Sequence, residues 1–246
     1  MHLSIVTGAS RGLGLAITEQ LLAQGHQVLA LSRHPPSGPA ASARNLTVWS
    51  ADLADPMAVA QRLHDWLHAQ AATPPLSVSL INNAGVVPAP GPLQATPDAE
   101  LSRALRVNLE APLLLSSAFL RATANWKMPR KLLLVSSGLG RWAMAGSALY
   151  CASKAGMDHL ARSLALEQAA LPNGAQVVSL APGIIDTDMQ LQLRGADPTH
   201  FPEQARFAAM KDEGRLDSPA QAATRLLRYL ARPDFGSNPV ADVRDA

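Results

Sequence analysis

Short apolar runs alternate with longer stretches in which apolar residues return every three or four positions, from one end of the chain to the other. The short runs are Leu3 to Thr7, Gln27 to Ser32, Leu46 to Ser50, Val78 to Asn82, Lys131 to Ser136 and Gln176 to Leu180. They are apolar almost throughout rather than at every second position, the pattern of parallel strands covered on both faces. Helical spacing occupies about 13–24, 56–70, 98–123, 149–169 and 218–231. The alternation predicts an α/β fold, a doubly wound parallel sheet with helices on both faces and right-handed crossovers.

Two stretches read as surface connections, His34 to Asn45 with three prolines and Ala72 to Pro75. Because the alternation continues across both, residues 1–246 are expected to form one domain. Residues 188–217 differ: Met189, Leu191, Leu193, Phe201, Phe207 and Met210 are mixed with Gly195, Pro198, Pro202 and Gly214, which suits a mobile substrate lid better than a sheet-covering helix.

Composition narrows the function classes. Of 246 residues 48% are hydrophobic and 16% charged, enough for a sizeable core and too apolar for a disordered chain. A net charge of +2 from scattered basic residues leaves no footprint for nucleic acid. The single cysteine and the absence of Cys/His pairs at zinc spacing exclude a disulfide scaffold and give no reason to expect a metal. No run approaches a membrane span or a signal peptide, so a soluble cytoplasmic protein is expected.

Chemistry gathers at strand ends. After the first strand, Thr7-Gly8-Ala9-Ser10-Arg11-Gly12-Leu13-Gly14 opens the first helix. Glycines there permit a tight turn, close approach of backbone to a pyrophosphate and close helix packing, and the helix N-terminus favours phosphate. This is the placement of a Rossmann-type dinucleotide loop. At the end of the second strand stands Leu31-Ser32-Arg33, where an NAD-selective site carries an acid. With Arg11 nearby, Arg33 points to a 2'-phosphate and hence NADP(H); its alternative is a solvated loop charge. Asp52 and Leu53 after the third strand are placed beside the adenine, and Asn82, Asn83, Ala84 and Gly85 after the fourth beside the adenosine ribose, though each is also compatible with a plain turn.

Tyr150 is followed four places on by Lys154, a spacing that two tyrosines and four lysines produce by chance only about one time in thirty. The pair shares one helix face. An ammonium beside a phenol favours its ionised form, which brings an ordinarily sluggish acid toward usefulness. Ser137, at the carboxyl end of the fifth strand, is placed either to donate to a substrate oxygen or to cap the strand. Asn108 is a poor mid-helix residue that either holds a water through its amide or serves as a cap or kink.

In order and spacing the glycine loop, Asn82 to Gly85, Asn108, Ser137, Tyr150, Lys154 and Pro182-Gly183 with Thr187 resemble the short-chain dehydrogenase/reductases, across essentially the whole chain. The resemblance implies that Tyr150 donates the proton, Lys154 holds the nicotinamide ribose and lowers the tyrosine pKa, Ser137 orients the carbonyl and Asn108 holds a relay water. It also implies that backbone from Gly183 to Thr187, with Ile185 foremost, faces the nicotinamide amide. A narrower resemblance, carried by Asp186 to Gln190, Phe201-Pro202-Glu203, Phe207, Gly214-Arg215-Leu216 and the ending Ala241 to Asp245, is to the sepiapterin reductase and benzil reductase branch. It implies NADPH-dependent reduction of a dicarbonyl, and makes Asp242 the candidate anchor for a pterin ring, against the alternative of a polar residue in a frayed tail.

The reading is therefore an NADPH-dependent carbonyl reductase with a small-molecule substrate, no nucleic acid or membrane partner, and Leu139, Trp142, Met189 and Asp242 at the substrate. Val86, Val87 and Met144 add apolar surface suited to a flat or aromatic ketone. Competing readings are a 3-oxoacyl thioester or hydroxysteroid reductase and a dinucleotide sensor without turnover. The resembled family, and the small residues Ala152, Ala155 and Gly156, point to a homodimer or homotetramer built on the helices near 98–123 and 149–169.

Overall fold

The computed structural model describes residues 1–245. Seven parallel strands form one sheet: β1 (His2–Thr7), β2 (Gln27–Ser32), β3 (Leu46–Ser50), β4 (Ser77–Asn82), β5 (Arg130–Val135), β6 (Gln176–Ala181) and β7 (Val240–Asp242), in the order β3-β2-β1-β4-β5-β6-β7. The chain winds outward from β1 to β3, then returns to the other side of β1 with β4. That reversal opens a crevice at the carboxyl ends of β1 and β4, where open parallel sheets bind ligands.

The central strands are buried because both faces are covered, whereas the edge strand β3 is mostly exposed. On one face α2 (Pro56–Ala69), α4 (Ala111–Ala122) and α5 (Ala148–Ala169) enclose Leu63, Leu67, Leu115, Phe119, Met157 and Ala161 over Ile5, Leu80 and Leu132. On the other, α1 (Gly12–Ala23) and α8 (Pro219–Ala231) enclose Ile17, Leu21, Leu226 and Leu230 over Val6, Ala30, Leu133 and Val178. Helix α8 begins at a capping box, with the Ser218 hydroxyl accepting from the Gln221 amide and the Gln221 side chain accepting from the Ser218 amide.

Two elements depart from the sequence expectation. The stretch expected as one helix over 98–123 is α3 (Asp98–Leu105), a π turn (Arg106–Glu110) and α4, so Asn108 lies in the π turn. Strand β7 was not expected at all; it pairs Ser179 with Val240 and Ala181 with Asp242, which makes the end of the chain part of the sheet. The proposed lid holds two short helices, α6 (Asp188–Arg194) and α7 (Gln204–Asp212), anchored by fully buried Phe201 and by Met210. Asp186 ties both down, accepting from Arg194 of α6 at 3.1 Å and from Lys211 of α7 at 2.5 Å. Among the described residues, no helix is long and apolar enough to cross a membrane.

Candidate active site

One cleft of about 920 Å³ runs along the carboxyl ends of the strands, from the glycine loop and Arg33 at one end to Trp142, Phe207 and Asp242 at the other. At the first end, Gly8 and Gly12 have φ of +68° and +55°, which side chains with a Cβ rarely adopt. Helix α1 starts without a side-chain cap, so amides of its first turn face the cleft unsatisfied by any side chain. The loop is braced from beneath: the Thr7 hydroxyl accepts from the amides of Asn83 and Ala84 at 3.0 and 2.9 Å, and Asn83 Nδ2 donates to the Thr7 carbonyl at 2.9 Å. Asn83 thus holds the loop with its side chain.

Arg11 and Arg33 are exposed at this end of the cleft, beside Ser10 and Asp52. Arg11 is paired at 2.8 Å with Asp188, the first residue of α6, so the glycine loop and the lid meet there. The Asp52 carboxyl is held below the usual range, first by the Ala54 amide and then by Arg103, with Arg33 adding to the effect. Leu13 and Leu53 line the cleft, but both side chains are buried in the two cores. Gly183 has φ +85°, and Ile185 behind it forms an isolated parallel bridge to Asp217, which fixes the backbone from Pro182 to Thr187 along the middle of the cleft.

The catalytic candidates converge. Ser137 stands two residues beyond β5, accepts from the Leu139 amide at 3.2 Å as the cap of the turn that follows, and shares a hydrogen bond with Tyr150. Lys154 is buried, donates to the Val135 carbonyl at 2.7 Å and lies 5.6 Å from the Tyr150 ring. The expected lowering of the phenol does not occur in the free protein: burial pushes Tyr150 up to about 12, against a smaller opposing effect of Ser137. The physical reason is the burial of the phenol itself, and the same burial brings Lys154 down to about 8, leaving it no charge with which to oppose the rise where the phenol ionises. At neutral pH the phenol carries its proton.

Asn108 is held by one residue at both ends of its amide: Oδ1 accepts from the Val86 amide at 2.8 Å and Nδ2 donates to the Val86 carbonyl at 2.7 Å. The residue clamps the segment after β4, inside a π turn of the kind often found at functional sites.

At the substrate end Leu139, Met144, Met189, Leu193, Phe207 and Met210 line the cleft, and the Trp142 indole lies across Gly138. Asp242 is 5% exposed in β7, which removes the frayed-tail alternative. Both its oxygens are engaged by Arg244, at 2.8 and 2.6 Å.

The short chain dehydrogenase family model matches residues 3–197. The chain belongs to this family. Two benzil reductases that form (S)-benzoin are similar to it, one from Bacillus cereus at 32% identity over 96% of each chain and one from Bacillus subtilis at 35% over 94% of each. The 3-oxoacyl-[acyl-carrier-protein] reductase FabG of Escherichia coli is 31% identical over 93% of this chain and 89% of its own. Among solved structures, a short-chain dehydrogenase/reductase from Burkholderia vietnamiensis is 36% identical, covers 100% of this chain and 99% of that one, and superposes with a TM-score of 0.66. The family is one of oxidoreductases acting on carbonyl and alcohol groups with nicotinamide dinucleotides, and the benzil reductase part of the sequence expectation has counterparts among these relatives. The residues Asp158 and Arg141, described below, were missed by sequence reasoning.

Proposed function

We propose that the chain is an NADPH-dependent reductase of flat or aromatic dicarbonyls, of the kind exemplified by benzil, with Tyr150 as proton donor. The observation that carries the reading is the convergence of Ser137, Tyr150 and Lys154 between an uncapped glycine-rich helix start and an apolar pocket. A nicotinamide dinucleotide fits the first part: the amides of Gly12 to Gly14 suit its pyrophosphate, Arg33 and Arg11 its 2'-phosphate, Asp52 its adenine end, and Lys154, with donors beyond the one given to Val135, its nicotinamide ribose. When bound, it supplies the hydride.

The protein's own groups handle the oxygen. Tyr150 Oη gives its proton to the carbonyl oxygen, and Ser137 donates a hydrogen bond to the same atom as negative charge develops on it. The protonated phenol of the free protein suits reduction, since reduction needs an acid and not a base. Apolar walls from Val86, Val87, Leu139, Trp142 and Met144 favour a substrate without charge.

The pterin reading fares less well. A pterin offers paired N–H donors to Asp242, yet both oxygens of that carboxylate accept from Arg244, so the ring would have to displace a guanidinium. A diketone brings no such donors and needs no displacement. A 3-oxoacyl thioester remains a second reading, supported by the 31% identity to FabG of Escherichia coli. NADPH oxidation with benzil, sepiapterin, isatin, acetoacetyl thioester and a 3-ketosteroid separates them. The proposal expects benzil and isatin to be reduced well, and the thioester turning over fastest overturns the diketone assignment.

Cofactor choice has its own test. A charge-assisted hydrogen bond is worth roughly 1.5 to 3 kcal/mol, so Arg33→Ala is expected to weaken NADPH binding about ten- to a hundredfold and leave NADH nearly unchanged. Equal losses for both would make Arg33 a structural residue. We further propose a homo-oligomer on the outer faces of α3, α4 and α5, where Leu105, Leu113 and Leu166 are exposed. Ala152 and Ala155 are exposed alongside, whereas Gly156 packs against Leu109 of its own chain. Light scattering at micromolar concentration is expected to give a dimer or tetramer mass, and a monomer mass contradicts the proposal.

A further inference from the structure

Asp158 is a charged side chain only 1% exposed, and it does not line the cleft. It stands four residues beyond Lys154 and eight beyond Tyr150 on α5, so the three share one stripe of the helix. Its Oδ1 accepts from two hydroxyls, Ser136 at the end of β5 and Ser179 on β6, each at 2.6 Å. Its Oδ2 accepts no hydrogen bond and faces Nε of Arg141 at 3.4 Å.

Arg141 belongs to the segment that follows Ser137, and it reaches further. Its guanidinium donates to the Ala241 carbonyl of β7 at 2.8 Å and lies 3.8 Å from the Asp242 carboxylate. Between the two side chains the backbone is pressed against α5: a Cβ on Gly140 would stand 2.8 Å from Asp158 Oδ2 and 2.9 Å from the Lys154 carbonyl. Only glycine fits there.

A buried carboxylate is costly unless it is paired and hydrogen-bonded. Two serine hydroxyls satisfy one oxygen. The other oxygen has the guanidinium of Arg141, and the carboxylate also favours the charged form of Lys154, which burial otherwise opposes. The charged groups around Asp158 are thus Lys154 on its own helix, Arg141 on the loop after β5, and Asp242 of β7 beyond Arg141.

We propose that Asp158 is a positioning residue for the catalytic set: one helical turn beyond Lys154 it sets a buried negative charge behind that side chain and, through Arg141, pins the segment after Ser137 between α5 and β7. It touches neither the cleft nor anything bound there, and the inference rests on the reading of Tyr150 and Lys154 as the catalytic pair.

Two variants with opposite expected signs test it. Asp158→Asn keeps an acceptor for the serines but removes the negative charge, so Lys154 gives up its proton more readily. The alkaline limb of kcat/KM for benzil reduction is expected to move down by about one pH unit, a tenfold change in proton concentration. Arg141→Gln removes positive charge on the far side of Asp158 and is expected to move the same limb up.

The free protein provides a second readout. Folded Lys154 titrates near 8, below its ordinary 10.5, so the unfolded chain binds more protons between those values and stability rises with pH across that window. Melting temperature against pH, without cofactor, is expected to begin this rise at lower pH in Asp158→Asn and at higher pH in Arg141→Gln. Opposite shifts support the proposal. A loss of kcat in both variants with limb and melting curve unmoved overturns it, since a merely structural residue does that. Should Asp158→Asn fail to fold, Arg141→Gln decides alone, an upward shift supporting the coupling and none refuting it. Should the wild type reduce no carbonyl, the functional reading falls while the melting curves still judge Asp158.

Discussion

Tyr150→Phe is expected to lower kcat for carbonyl reduction by about 10²- to 10⁴-fold, the usual contribution of a positioned proton donor, while leaving the Kd for NADPH within about twofold. The phenyl body keeps its packing, and the variant loses only the hydroxyl and its hydrogen bond with Ser137. In the ground state that hydroxyl has little to do. In the transition state it delivers a proton to an oxygen gaining negative charge, so kcat and kcat/KM are expected to fall together. Because burial holds the phenol at about 12, wild-type activity should show no loss from phenol ionisation anywhere in the neutral range. Stopped-flow NADPH oxidation and a fluorescence titration of NADPH give the two numbers. Turnover retaining a tenth of the wild-type value removes Tyr150 from its role, and with Tyr150→Phe inactive the sensor reading has nothing left to explain.

The sheet was legible because β1, β2, β4, β5 and β6 are covered on both faces and so are apolar along most of their length, and the edge strand β3, though mostly exposed, still carries Leu46, Val48 and Trp49. The glycine loop was legible because its position after β1 says as much as its composition. What escaped notice had no local signal. Strand β7 is three residues long, too short for any period, and exists because β6 offers it a ladder from Ser179 to Ala181. The π turn inserts its irregularity without breaking the apolar stripe that runs from α3 into α4, so the sequence read as one helix, and nothing local pointed the amide of Asn108 at the Val86 backbone.

The acid–base pattern shows the same division. Spacing put Tyr150 and Lys154 on one face, which the fold keeps. Their proton affinities depend on how completely the helix is buried against β5 and β6, a tertiary property, and burial reversed the expected direction for the phenol. Asp158 continues the same spacing by one more turn. A lone aspartate at that position reads as a surface residue until Ser136, Ser179 and Arg141 are seen to surround it.

Gly14→Ala sets two physical effects against each other, and the structure decides between them. Within a helix alanine is favoured over glycine by about 1 kcal/mol, so propensity alone expects stabilisation. Yet a Cβ at Gly14 would stand 2.1 Å from the Gly8 carbonyl oxygen and 2.5 Å from Asn83 Nδ2. Neither neighbour can retreat: the Gly8 amide is bonded to the Leu31 carbonyl at 2.8 Å, and Asn83 Nδ2 to the Thr7 carbonyl at 2.9 Å. Helix α1 would have to move off the sheet. Overpacking of this kind costs about 1 to 3 kcal/mol or more, which exceeds the propensity gain, and at about 2 to 4 °C per kcal/mol for a chain of this size the melting temperature is expected to fall by several degrees. The same displacement carries the first-turn amides away from the position of a pyrophosphate, so NADPH affinity is expected to drop about a hundredfold or more. Gly25→Ala is the control. Gly25, unlike Gly14, has a positive φ, +80°, and an added Cβ there meets nothing within 4 Å, so that variant should lose stability through backbone strain alone and bind NADPH normally. If Gly14→Ala instead melts higher and binds NADPH as tightly as the wild type, the close approach of α1 to the Gly8 turn does not govern the cofactor end of the cleft.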